Sequence, residues 1–141
     1  MCIMNKKISS ARFLQRLKRL GNRNPNDFQT ELNRRTIIAI SEWVAARGFC
    51  EAECSLKSLS TKFGISENQL VYFFETHYPG GFRRFKKDLR IDEAKRLLVK
   101  MPDVPLSLIA VMVGIRDKTN FRRQFTEITG LSPAEWRDRN R

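Results

Sequence analysis

Lys118, Thr119, Arg122 and Arg123 share the outer face of one helix predicted just beyond a tight turn at Gly114-Ile115. Lysine and arginine side chains are cationic and carry only hydrogen-bond donors, so a cluster of them on one face suits a polyanion. A short apolar helix from Leu106 leads into the turn. The segment from Leu106 to Arg137 therefore outlines a helix-turn-helix, the unit that lays one helix in the major groove of DNA. A weaker copy runs from Leu56 to Phe74, with Asn68, Gln69, Val71 and Tyr72 away from the apolar stripe of its second helix. Two such units imply two points of contact with DNA.

Other chemistry is thinly supplied. His77 is the only histidine, and there is neither a phosphate-cradling glycine loop nor a nucleophile motif, so no catalytic residues are assigned and no enzyme is expected. His77 lies near a predicted helix C-terminus, where positive charge is favoured. Cys50 and Cys54 are four apart, but a four-ligand zinc site needs more donors, so neither metal nor cofactor is expected. Three cysteines, an odd number, argue for a reducing compartment.

The chain has 141 residues, of which 41% are hydrophobic and 30% charged, enough for a buried core in one ordinary domain or two very small ones. Lys and Arg number 27 against 15 Asp and Glu, a formal charge of +12 that predicts an anionic partner. The longest apolar stretch, Leu108 to Ile115, falls far short of the roughly 20 residues that span a bilayer. No secretory signal is recognisable, so a cytoplasmic location is expected.

The elements that position these residues read as all-α. Ile8 to Leu20 carries Phe13, Leu14, Leu17 and Leu20 on one stripe, and its cations largely elsewhere. This helix can lie on an anionic membrane, touch DNA phosphates, dock on the body, or stand as a basic solvated extension. A breaker-rich linker follows from Gly21 to Asn26. Thr36 to Arg47 is a predicted helix with Ile37, Ile40, Trp43 and Val44 inward, ended by Gly48. Ser55 to Gly64 follows, with Leu56, Leu59 and Phe63 inward. Ser66-Glu-Asn-Gln69 is a capping-box pattern opening the next helix, whose Leu70, Phe73 and Phe74 face in. After Tyr78-Pro-Gly-Gly81, Phe82 to Lys100 is the longest helix, stopped by Pro102 and Pro105. Asp117 caps the outward basic helix and Gly130 ends it. Ser132-Pro-Ala-Glu135 starts the last helix, where Trp136 closes the core.

The two units superpose at a period of 50 residues: Ser60 on Ala110, Gly64 on Gly114, Ile65 on Ile115. Each frame has a small residue at the helix crossing, a turn glycine four residues later, and apolar residues behind it. With these features, the stretch from about Arg35 to Arg137 resembles the DNA-binding domain of the AraC/XylS family of bacterial transcription regulators. The residues carrying the resemblance include Arg90, Ala94, Leu97 and Leu98 in the long helix, and Ile109-Ala110, Val113-Gly114, Phe121, Phe125, Gly130, Ser132-Pro133 and Arg137 beyond it. The chain departs from the family pattern at Ile115, where an aromatic is usual, at Ser60, where alanine is usual, and in the displaced glycines of Tyr78 to Gly81.

The resemblance implies seven helices: two helix-turn-helix subdomains joined by a connecting helix. With the distinct composition of the N-terminus, the chain divides into a basic amphipathic extension over 1–25 and a DNA-binding domain over 26–141. Within that domain the subdomains are about 34–81 and 105–141, and the connecting helix about 82–101. The family's base-reading positions fall on Asn68, Gln69, Val71 and Tyr72 in the first unit and on Lys118, Thr119, Arg122 and Arg123 in the second. Arginine can pair with guanine O6 and N7, asparagine and glutamine with adenine, and threonine can meet a thymine methyl. Tyr72, standing where a basic residue is common, favours stacking or apolar contact. Phosphate contacts are expected from helix N-termini, Lys57, Lys62 and part of the basic run comprising Arg83, Arg84, Lys86 and Lys87.

The expected function is a sequence-specific regulator that inserts two helices into adjacent major-groove segments of double-stranded DNA. The family implies recruitment of RNA polymerase, with activation favoured over repression. Control rests either on abundance or on an effector or sensor domain upstream of this chain. The alternative is a basic peripheral module on membrane or RNA, using the N-terminal helix.

Overall fold

Apolar residues three and four apart build most of the helices predicted from the sequence, and the caps place their ends. The computed structural model describes residues 10–20 and 28–141. Cys2, the expected helix start at Ile8 and the expected linker at Gly21 to Asn26 lie outside the described residues. The described chain is all-helical, with no strand: α1 (Ser10–Leu20), α2 (Phe28–Ala45), α3 (Leu56–Phe63), α4 (Glu67–His77), α5 (Gly81–Lys100), α6 (Leu106–Met112), α7 (Lys118–Thr129) and α8 (Pro133–Arg139). A single turn of 3-10 helix, Gly48–Cys50, follows α2. Helices α3 and α4 form the first helix-turn-helix, α6 and α7 the second, and α5 joins them.

Two cores are strung along α5. Its first half gives Phe82, Phe85 and Leu89 to a cluster with Ile37, Ile40 and Trp43 of α2, Leu59 of α3 and Leu70, Phe73 and Phe74 of α4. Its second half gives Ile91, Ala94, Leu97 and Leu98 to a cluster with Ile109, Ala110, Val113, Ile115, Phe121 and Phe125. One helix thus supplies both hydrophobic centres, and its 20 residues, about 30 Å at 1.5 Å each, set the distance between them.

α2 begins at Phe28, eight residues before the predicted start at Thr36. The polar run Gln29 to Arg35 lacks an apolar period, and the helix is held there by local polar bonds instead. Gln29 donates to Asn33 at 3.0 Å, Arg34 pairs with Glu31 at 3.3 Å, and the buried Thr36 hydroxyl donates back to the Leu32 carbonyl at 2.8 Å. α2 ends at Ala45, before Gly48, and Arg47 takes the left-handed conformation (φ 59°). Gly48 lies against Trp43, where an added Cβ would stand 2.3 Å from the indole.

The N-terminal helix docks on the body. Phe13 of α1 is buried in the first core, its ring 4.8 Å from Tyr78 and 5.4 Å from Phe85. At the end of α4, His77 lies at a tilt against the Phe73 ring, 4.9 Å between centroids. Burial, and then the Arg16 charge on α1, push the His77 pKa below its usual 6.5, against the helix-end effect expected from sequence. A base with a depressed folded-state pKa takes up its proton more readily when unfolded. Its neutral form supports the fold above about 6.5, and that support is lost as pH falls through the lower folded value. Thermal melts from pH 8 to 5 should therefore show a fall in stability that His77→Asn flattens.

The two turns are built differently. In the first, the Ser60 hydroxyl donates to the Ile65 carbonyl at 2.6 Å, so the serine that departs from the family's alanine ties its own turn shut. In the second, Ala110 offers no side-chain bond and Ile115 N–H donates to the Ala110 carbonyl at 2.9 Å. Gly64 (φ 66°) and Gly114 (φ 87°) both need the left-handed region, but only Gly114 is crowded. A Cβ on Gly114 would lie 2.7 Å from the Cys50 carbonyl oxygen and 3.0 Å from the Arg90 guanidinium, whereas nothing lies within 4 Å of one on Gly64. Gly64→Ala should cost about 1–2 kcal/mol from the backbone alone. Gly114→Ala should cost about 1–3 kcal/mol more by overpacking, read as a difference in denaturant midpoint between the two variants.

Candidate nucleic-acid interface

α7 turns its basic face outward because its apolar residues leave no choice. Phe121 and Phe125, four apart, are fully buried against the second core, which directs Lys118, Thr119, Arg122 and Arg123 to solvent. The helix begins where Asp117 accepts from the Asn120 N–H at 2.6 Å. Asn120 in turn accepts from Arg123 at 2.7 Å and from Gln124 at 3.1 Å. Asn120 thus steers the Arg123 guanidinium, a role that sequence periodicity did not single out. Lys118 and Arg122 border a cleft of about 260 Å³ against Leu106, Ser132 and Pro133. The acidic residue of α7, Glu127, is drawn off by Lys87 of α5 at 2.7 Å, which holds its carboxyl below the usual range. The face that remains carries three cations and a hydroxyl.

α4 presents a neutral face. Leu70, Phe73 and Phe74 are buried, and Asn68, Val71 and Tyr72 are exposed, Tyr72 to 58%. Gln69 is half-buried, with its Nε2 enclosed and without a hydrogen-bond partner among the described residues. Only half of the expected capping box forms: Ser66 accepts from the Gln69 N–H at 3.2 Å. A full reciprocal box sits one helix earlier, between Ser55 and Ser58, each side chain accepting at 3.1 Å. α4 also carries Glu67 and Glu75 and no lysine or arginine, so α4 and α7 differ in charge as well as in residue type.

The basic candidates flanking these helices divide into two groups. Lys57 and Lys62 of α3 and Arg83 at the start of α5 are exposed. Arg84 pairs with Asp88 at 2.9 Å, and Asp88 also accepts from the Tyr78 hydroxyl. Lys86 donates to the Cys54 carbonyl at 2.8 Å and lies over the Phe82 ring at 5.6 Å; burial depresses its pKa. Lys87 holds Glu127. Three members of the basic run are thus engaged inside the fold, with partners 4, 32 and 40 residues away. Cys50 and Cys54 flank this region as free thiols, and burial pushes both upward, away from the thiolate that metal or redox chemistry needs.

Two buried arginines hold the frame. Arg137 of α8 donates to the carbonyls of Leu98 at 3.3 Å, Met101 at 3.2 Å and Val104 at 2.7 Å, which satisfies the C-terminal end of α5 and fastens α8 to it. Arg90 of α5 donates to the carbonyls of Phe49 and Glu51, both at 2.7 Å. Trp136 is half-buried against Phe125 at 6.0 Å, with Lys95 over its ring at 5.3 Å.

Comparison with known proteins agrees with this geometry. A family model described as a helix-turn-helix domain matches residues 59–139, more than half of the chain. The arabinose operon regulatory protein of Escherichia coli (strain K12) is 28% identical over 87 residues, 62% of this chain and 30% of its own length. The raffinose operon transcriptional regulatory protein RafR of Pediococcus pentosaceus is 29% identical over 84 residues, covering 60% of this chain and 30% of its own. This chain thus spans about a third of the length of the curated relatives it matches. Among solved structures, the C-terminal domain of AraT, a response regulator from Geobacillus stearothermophilus, superposes with a TM-score of 0.63 at 20% identity, over 72% of this chain and 84% of that one.

Proposed function

The chain belongs to the AraC/XylS family of DNA-binding transcription regulators, and from that premise we propose that it reads two adjacent major-groove segments with one polypeptide. The observation that carries this reading is the pair of outward faces, α4 and α7, mounted on one connecting helix. Successive major-groove faces lie about 34 Å apart along a duplex, a distance close to the length of α5.

Residue roles follow from chemistry and exposure. Lys118, Thr119, Arg122 and Arg123 read the segment under α7, with Arg122 or Arg123 on a guanine. Asn68, Val71 and Tyr72 read the segment under α4, where Gln69 has to turn outward to take part. Lys57, Lys62 and Arg83 are the phosphate contacts this reading retains, because Arg84, Lys86 and Lys87 are engaged internally. Action on chromosomal DNA implies the cytoplasm. Recruitment of RNA polymerase, with activation as its outcome, is the corresponding proposal for the regulatory step, and control through an effector or sensor domain upstream is the proposal for its input.

The membrane alternative is weakened at α1, because a membrane-lying helix needs its apolar stripe free, and here Phe13 is buried in the body with Leu14 packed beside it. Among the described residues no helix is long and apolar enough to cross a membrane.

Selection from a random duplex pool tests the proposal. The full chain should enrich a site with two conserved blocks centred about one helical turn apart. Failure to enrich any sequence, with binding to anionic vesicles instead, would overturn it.

A further inference from the structure

We propose that Arg90 is a positioning residue that fixes the relative placement of the reading helices α4 and α7, and so sets the spacing of the two DNA blocks that the chain accepts. The inference rests on the two-groove reading above.

Arg90 sits where α5 changes allegiance, between Leu89 of the first core and Ile91 of the second. Its guanidinium is buried and has two main-chain acceptors, the carbonyls of Phe49 and Glu51, in the loop that leaves α2. The same loop is what the second unit leans on: the Gly114 turn meets the Cys50 carbonyl and the Arg90 guanidinium so closely that no side chain fits between. Gly114 opens the turn that leads into α7, so the loop over 49–51, Arg90 and the start of the second reader form one junction. Arg137, the other buried arginine, binds carbonyls at the end of α5 and just beyond, all on the second unit's side. Arg90 instead joins the two units.

The continuous α5 sets the spacing of the two cores, and Arg90 adds the tie between the first unit's loop and the second unit's turn. A cavity of about 270 Å³ opens beside Arg90, between Glu53 of the first unit and Asn120 and Gln124 of the second, so apolar packing does not lock the units there. The other cross-ties, Arg47 to Glu93 at 2.6 Å and Lys87 to Glu127 at 2.7 Å, are ion pairs with one partner well exposed, and such pairs are screened and weak. Adding one base pair between two blocks moves the second by about 3.4 Å along the axis and roughly a tenth of a turn around it. A joint held by short directional bonds resists that displacement, whereas one with room to pivot does not.

The test is pool selection with the wild-type chain and with Arg90→Met, followed by binding to duplexes whose blocks are moved apart or together by one base pair. The wild type should enrich two blocks at one spacing. Arg90→Met should enrich the same two blocks at several spacings, and its discrimination against the shifted duplexes should fall by about tenfold or more. A merely structural loss would lower affinity and melting temperature without changing which spacing is preferred. Unchanged spacing in folded Arg90→Met overturns the inference. If that variant does not fold, Arg90→Lys, which keeps the charge but not the two-pronged geometry, should broaden the spacing to a smaller extent, and an unbroadened profile there overturns it equally. A wild-type site with a single block would mark failure of the two-groove reading itself.

Discussion

Replacing Arg122 and Arg123 together by alanine should weaken binding to the selected site by about 2–4 kcal/mol, with part of that loss appearing as a shallower salt dependence. Both side chains are exposed on the outward face of α7. Among the described residues neither forms an ion pair with the body, and Arg123 donates to Asn120 of its own helix at 2.7 Å. Fold stability should therefore stay within about 0.5 kcal/mol, which separates a binding effect from an unfolding one. The single variants divide the roles. Arg123→Ala relaxing the preference at one base position identifies a base contact, while uniform weakening across sequences identifies a phosphate clamp. The slope of log K against log salt should drop by about 1–2 in the double variant. Asn68→Ala plus Tyr72→Ala in α4 should lower affinity while leaving that slope near the wild-type value, because α4 carries no lysine or arginine. A slope barely changed by loss of both arginines would contradict the assignment of the electrostatic grip to α7.

Phe85→Ala should destabilise the fold by about 3–5 kcal/mol, a large share of the 5–15 kcal/mol typical of a domain. The Phe85 ring is fully buried and lies 5.4 Å from Phe13, 6.5 Å from Trp43, 5.2 Å from Phe74 and 5.1 Å from Tyr78. It is the point where α1, α2, α4 and α5 meet, so its removal leaves a void that no single neighbour can fill. The first unit should loosen before the second, whose core is built from other residues. Hydrogen exchange should then show faster exchange in α2 to α4 than in α6 to α8. Equal loosening of both halves would mean that the two cores unfold as one.

The second unit was legible in the sequence because its signals are local. Asp117, Gly130 and the Ser132–Glu135 box lie next to the helices they bound, and the spacing of Phe121 and Phe125 fixes which face of α7 is free. The doubled frame at Gly64 and Gly114 exposed the first unit in the same way. What escaped depends on partners remote in sequence. The bonds of Arg90 cross 41 and 39 residues, that of Lys86 crosses 32 and that of Lys87 crosses 40, and periodicity carries no trace of them. A basic run on a helix therefore read as a supply of phosphate contacts, while three of its side chains also have partners within the fold. The early start of α2 escaped for a different reason, since polar side-chain bonds sustain its first two turns. Phe13 was visible as an apolar position, but the rings that receive it, Tyr78 at the end of α4 and Phe85 of α5, come together only on folding.

Guanine N7 methylation protection on the selected duplex, with the number of bound chains measured in the same sample, addresses two-groove reading by one polypeptide most directly. N7 faces the major groove, so protection reports a helix lodged there. Two protected clusters about 10 base pairs apart, at one chain per duplex, are the expected result. A single cluster at that stoichiometry, or two clusters only when two chains are bound, would contradict it.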